Sequence, residues 1–200
     1  MKINYDNLMM EEIKKLDGEK KKLLLHSCCG PCSSACIERL IPYFDLKVIY
    51  YNPNIEPVFE YNHRKNEQIR LLDCLGIDYI DCDYENDYWK KLVEPLAKER
   101  EGGVRCNLCF NIRLKYTADK AKELGYDYFT TTLTVSPHKN SEIINKIGYN
   151  IGKVVGIDYL YSDFKKKEGY KRSIELAKQY DLYRQDYCGC LYSKEDRNEE

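Results

Sequence analysis

The sequence predicts an α/β fold: a parallel sheet with helices on both faces. Two observations carry this. Short apolar runs alternate with longer amphipathic stretches along the whole chain. The turns that follow the apolar runs also hold the residues richest in chemistry, as expected where ligands gather beyond the C-terminal ends of parallel strands. A length of 200 residues suits one domain, and 43% hydrophobic residues suffice for its core.

Tyr5 to Leu16 reads as a short amphipathic helix stopped at Asp17-Gly18. With the lysines that follow, it forms an expected N-terminal helical extension, residues 1–22. Residues 23–200 are expected to be a single catalytic domain. Leu23 to His26 is a buried first strand, followed by a loop of small residues that starts a helix running through Leu40. Val48 to Tyr51 is a second strand, stopped by Asn52-Pro53-Asn54. Glu56 to Leu75 is a helix ending at Gly76. Ile77 to Cys82 is a third strand, and Asp87 to Arg100 a helix broken by Glu101-Gly102-Gly103. Cys106 to Leu124 is a long helix closed by Gly125. Tyr128 to Val135, rich in threonine and aromatics, is a fourth strand. A helix over Asn140 to Ile151, a strand near Ile157 to Tyr161 and a helix over Lys171 to Tyr180 complete the alternation. An irregular segment, Tyr183 to Tyr192, follows.

Charged residues make up 32% of the chain, and no apolar run approaches the roughly 20 residues that span a bilayer. The N-terminal stretch lacks the hydrophobic core of an export signal, so a cytoplasmic, reducing compartment is expected. A net charge of -1 excludes a polyelectrolyte binder, so any nucleic-acid contact must use local patches. One such patch is Lys165-Lys166-Lys167 with Lys171 and Arg172: a solvated face, or a phosphate contact.

Eight of the ten cysteines fall in three motifs: HSCCGPCSSAC with Cys28, Cys29, Cys32 and Cys36; RCNLCF with Cys106 and Cys109; and YCGC with Cys188 and Cys190. Thiolates this close repel unless a metal, a cluster or a disulfide takes them up. Cys29-Gly30-Pro31-Cys32 alone would suit a thioredoxin-like dithiol, but Cys28 adds a third thiol with no role in simple exchange. Cys106 and Cys109 are spaced to share one helix face, flanked by Arg105 and Arg113, and the positive surround suits an anionic centre. With Cys28 and Cys29 they would supply four ligands to a [4Fe–4S] cluster, with zinc as the competing fill. A disulfide across Cys188-Gly189-Cys190 would close a small strained ring that is easily reduced, on what reads as a mobile redox arm. The pair would otherwise ligate a metal. Cys36, Cys74 and Cys82 read as core residues. His26, His63 and His138 show no metal-ligand spacing.

The ordered motifs LLLHSCCGPCS (23–33), YYNPNIEP (50–57), EGGVRCNLCFNIRL (101–114), FTTTLTVSPHKN (129–140), DFKKKEGYKRS (163–173) and YRQDYCGC (183–190) resemble the epoxyqueuosine reductase QueH family. The resemblance implies reduction of epoxyqueuosine to queuosine in the anticodon loop of tRNA. It implies an adenine-nucleotide hydrolase-like (PP-loop/HUP) fold, although the SGGxDS loop of nucleotide-using relatives is replaced here by cysteines. It also implies a [4Fe–4S] cluster on Cys28, Cys29, Cys106 and Cys109, and a redox-active pair at Cys188 and Cys190. Cys32 with Cys188 and Cys190 would hold a second metal, a mononuclear iron. By position, Tyr50, Tyr51, Asn52, Arg64, Arg113, Tyr183 and Arg184 are expected to contact the substrate, and an unidentified donor is expected to supply electrons. A thiol–disulfide oxidoreductase using Cys29 and Cys32, or a non-catalytic zinc- or RNA-binding module, stand as the alternatives.

Overall fold

A computed structural model describes residues 3–198. Five parallel strands form one sheet in the order β3-β2-β1-β4-β5. Strand β1 (Lys21–His26) is central. It pairs with β2 (Phe44–Ile49) on one side and β4 (Tyr128–Thr131) on the other. Two-residue edge strands, β3 (Tyr79–Ile80) and β5 (Asp158–Tyr159), flank these. The helices are α1 (Tyr5–Lys15), α2 (Gly30–Leu40), α3 (Val58–Leu75), α4 (Asn86–Val93), α5 (Val104–Glu123), α6 (Ser141–Val155), α7 (Gly169–Gln179) and α8 (Leu191–Asn198).

The triple leucine of β1 shows why the sheet is covered twice. Successive strand side chains point to opposite faces. Leu24 enters a core with Trp89 of α4, Leu114 of α5 and Ile144 of α6. Leu23 and Leu25 enter a second core with Ile37 of α2 and Leu72 of α3. Met9 and Ile13 of α1 lie in that second core, and Arg39 of α2 clamps Asp6 of α1 at 2.6 Å.

The chain departs from the sequence reading where a local bond outcompetes the ladder. Strand β4 stops at Thr131, and Thr132–Val135 turn into a 3-10 helix, because the Thr131 hydroxyl accepts the Leu133 N–H at 3.1 Å. Strand β2 lies earlier than expected, since its pairing with β1 runs from Lys21–Phe44 to His26–Ile49 and ends there. Tyr50 and Tyr51 therefore leave the sheet. Helix α4 ends at Val93 because Pro95 cannot continue it. Helix α8, which begins at Leu191 inside the segment read as irregular, is new.

Strand order reverses at β1, whose neighbours β2 and β4 lie on opposite sides. The loops after β1 and β4 therefore diverge and leave a crevice at the C-terminal edge of the sheet.

Candidate metal and active site

The loop after β1 fills that crevice. Cys29 is the extended residue before α2, and Gly30-Pro31 open the helix. Cys32 follows in the first turn, so it returns to the side of Cys29. The sulfurs of Cys28, Cys29 and Cys32 all lie within 4.8 Å of one another, and those of Cys28 and Cys29 are 3.9 Å apart. The Thr132 hydroxyl donates to the Cys28 sulfur at 3.3 Å and accepts the Cys28 N–H at 3.1 Å.

Three thiols this close share one charge. Hydrogen bonds from Cys29 and Cys32 hold the Cys28 thiol well below the usual range, with Lys139 and Arg113 adding to the effect. The same bonds leave Cys29 pushed up to about 12, with burial adding to the effect, and raise Cys32 further.

A buried polar layer supports this loop from beneath. Asn52 donates to the Ser27 carbonyl at 2.8 Å and accepts from Arg113 at 2.5 Å. Ser33 donates to the Cys29 carbonyl at 2.8 Å, and Gln68 accepts from Ser27. His26 lies between Thr131 Oγ1 at 2.8 Å and the Tyr51 carbonyl at 3.1 Å. Burial, and then the Arg113 charge, lower the His26 pKa to about 3, so the ring is neutral.

Helix α5 brings Cys106 and Cys109 in from the opposite wall, one turn apart. The Gly102 N–H points at the Cys106 sulfur, 3.2 Å away. Burial pushes Cys106 up to about 11 against that bond. It also raises Cys109 against the pull of Arg113.

Cys188 and Cys190 arrive on a segment tied at several points. The Gly189 carbonyl accepts the Glu56 N–H at 2.8 Å, and the Tyr187 hydroxyl donates to the Glu56 carbonyl at 2.6 Å. Arg64 lies 4.8 Å over the Tyr187 ring. Ser193 donates to Glu101 at 2.8 Å. The expected mobile arm is thus a strap fixed across the site, with both cysteines as free thiols. Its backbone polar groups are bound to α3 and its approach, which a swinging segment would leave to water.

Two spaces meet at Cys188. A cavity of about 280 Å³ is lined by Cys28, Cys32 and Cys188 together with Arg113, Lys139 and Arg184. A small void of about 10 Å³ is lined by Cys106, Cys109, Cys188 and Cys190 with Trp89. The buried Trp89 N–H has only the Cys109 sulfur to turn to and helps to hold that thiol down. A donor aimed at sulfur suits a sulfur-rich guest. Lys139 completes the charge balance. Burial alone would lower its pKa, but its electrostatic attraction to the facing Cys188, Cys28 and Cys32 outweighs burial and raises it.

The sequence model described as "Epoxyqueuosine reductase QueH" matches residues 23–196. The chain belongs to this family. Curated QueH relatives include epoxyqueuosine reductases from Staphylococcus epidermidis and Thermotoga maritima. The first is 42% identical, with 96% of this chain and 85% of the relative covered. The second is 31% identical, covering 88% and 92%. Among solved structures, the U34-tRNA thiolase NcsA from Methanococcus maripaludis with its [4Fe-4S] cluster shares the fold. Its TM-score is 0.53 at 14% identity, covering 94% of this chain and 69% of that one. The expected α/β sheet of PP-loop/HUP type therefore holds.

Several QueH-site expectations need correction. Tyr50, Tyr51, Asn52 and Arg64 are buried and cannot meet a substrate directly. Tyr51 stacks on Tyr116 with ring centroids 3.7 Å apart and donates to Glu85. Arg64 is spent on Glu60 at 2.7 Å. Tyr183 bonds Glu60 and Glu67. Arg113 is buried yet lines the cavity, and Arg184 is exposed there. Cys74 is exposed, whereas Cys36 and Cys82 are buried. Thr132, Lys139 and His26 escaped the sequence reading. The turn Ser136-Pro137 before Lys139, inside a quoted motif at a strand end, was the available signal.

Proposed function

We propose that this chain reduces epoxyqueuosine to queuosine in tRNA, within queuosine biosynthesis. The observation that carries the proposal is that the three cysteine motifs line two spaces that adjoin at Cys188, one of them walled by Arg113, Lys139 and Arg184. Conversion of the epoxide to an alkene consumes two electrons and two protons and releases the oxygen as water. Cys28, Cys29, Cys106 and Cys109 would hold a [4Fe–4S] cluster, a reading that the 3.9 Å Cys28–Cys29 pair, the placing of Cys106 and Cys109 one turn apart on α5 and the nearby Arg113 favour. When bound, such a cluster passes electrons one at a time.

The chain's own residues do the rest. Lys139 keeps its proton on Nζ at the cavity wall, where the departing oxygen needs one. Arg113 balances thiolate charge from below. Arg184, exposed at the rim, meets the RNA. Cys188 and Cys190 serve as a two-electron dithiol or, with Cys32, as ligands of a mononuclear iron. These uses exclude each other at any moment. Electrons come from an external donor in the cytoplasm, where tRNA is modified. No helix of the described residues is long and apolar enough to cross a membrane.

The rival dithiol reading fits less well. Cys29 is almost fully buried, and the thiol held low is Cys28. Anaerobically purified protein should be brown, with about four iron and four sulfide per chain, and should turn over epoxyqueuosine-containing tRNA. A colourless protein holding only zinc overturns this reading. Cys188→Ser separates the two uses of the pair. Loss of a further iron with the cluster spectrum kept marks ligation, and unchanged metal content marks the dithiol. Arg184→Ala should raise KM for tRNA; an unchanged KM and salt dependence remove it from the site.

A further inference from the structure

The catalytic cavity is too small for a polymer. At about 280 Å³ it takes one splayed base, and RNA bases are read in this way from single-stranded loops. The phosphates on either side of that base stay outside and supply most of the affinity. They must rest on surface continuous with the cavity mouth.

The structure shows one such surface. A groove of about 660 Å³ shares Pro137, His138 and Lys139 with the cavity and continues along Asn140, Lys165 and Lys166. Two other large grooves share no residue with it. One, of about 400 Å³, runs beside Tyr149 and Lys153, and the other, of about 630 Å³, beside Lys47 and Asp78.

The lysine run sorts itself by its partners. Lys165 is bound to Asp163 at 3.1 Å and Lys167 to Asp6 at 3.5 Å. Lys171 is bound to Glu168 at 3.3 Å, and Arg172 to Glu38 at 2.8 Å. Lys166 is exposed and has no carboxylate partner among the described residues. It stands in the groove with His138, also exposed. Two carboxylates line the same groove: Asp163, held by Lys165, and Glu142 in the first turn of α6.

Resting on the tRNA reading above, we propose that this groove is the track for the RNA backbone beside the reacting nucleotide, with Lys166 and His138 as its phosphate contacts. The track places the substrate by charge and reads no sequence.

The test uses the full chain and epoxyqueuosine-containing tRNA across a salt series. Lys166→Glu should raise KM severalfold while kcat stays within twofold. Lys166→Ala should lower the slope of log affinity against log salt by about 1. Glu142→Gln should lower KM. Lys153→Glu, in the groove that does not meet the cavity, should change neither quantity. Unchanged KM and slope in the Lys166 variants overturn the track. So does an equal loss in Lys153→Glu, which would mean a diffuse field. Wild-type protein that binds tRNA in a salt-dependent way but does not turn it over overturns the activity reading alone. Turnover with an unmoved slope overturns the track alone.

Discussion

Thr132 grips Cys28 twice, through its N–H and its sulfur. Hydrogen bonds to ligand sulfurs set cluster potentials. With a cluster held by Cys28 as proposed, Thr132→Val should give a more negative reduction potential at unchanged iron content, and Thr132→Ser should restore it; equal potentials in all three proteins would refute this. Arg113 is the other residue with a dual part, as it ties Asn52 and faces the thiols. Arg113→Met should destabilise the chain by about 1–3 kcal/mol, because Asn52 Oδ1 loses its donor in a buried site; chemical denaturation measures this. Spacing alone exposed the cysteines, since like thiols at short intervals demand a partner. It could not separate Tyr51 and Asn52 from true substrate contacts. Both lie at a strand end, and only packing shows that they hold the floor of the site.

Among the elements, the strap over residues 183–190 matters most. Gly189 has φ +127, and a Cβ there would meet Ile55 Cγ1 at 2.9 Å. Gly189→Ala should cost about 1–3 kcal/mol in strained backbone and speed alkylation of Cys188 as the strap lifts. A wild-type alkylation rate would show that the strap tolerates the methyl. Gly169 is held more tightly, since a Cβ would come within 1.8 Å of the Phe164 carbonyl oxygen. The order of strands and helices was legible because apolar runs and capping residues are local. The end of β4 was not, because the Thr131 hydroxyl and the ladder compete for the same backbone. The strap was not legible either: its ties to Glu56 and Arg64 come from more than a hundred positions away.

On the scale of the whole molecule, His26 links stability to pH. The unfolded ring takes a proton near 6.5 and the folded ring only near 3. Between those values the unfolded chain binds more protons, so stability is full above pH 6.5 and falls on acidification. The slope from this residue is about 1.4 kcal/mol per pH unit. His26→Gln should flatten that part of the curve, as thermal unfolding from pH 7 to 5 will show; an unaltered slope would place the titration elsewhere. The parallel sheet followed from the alternation of runs, and with it the edge on which the site lies; the reversal at β1 did not, because strand order is set by tertiary packing. Which cysteine faced which cavity did not follow, because Cys188 borders both spaces only once the strap is laid down.

That double border orders events in time. Cys28 and Cys32 emerge early in synthesis, Cys106 and Cys109 midway, and Cys188 close to the last. A nascent chain presents the first thiols with their cover missing and their cationic wall at Lys139 not yet built. A cluster held as proposed above and loaded then would stand open to water and oxidants, so on that proposal its delivery belongs after release from the ribosome.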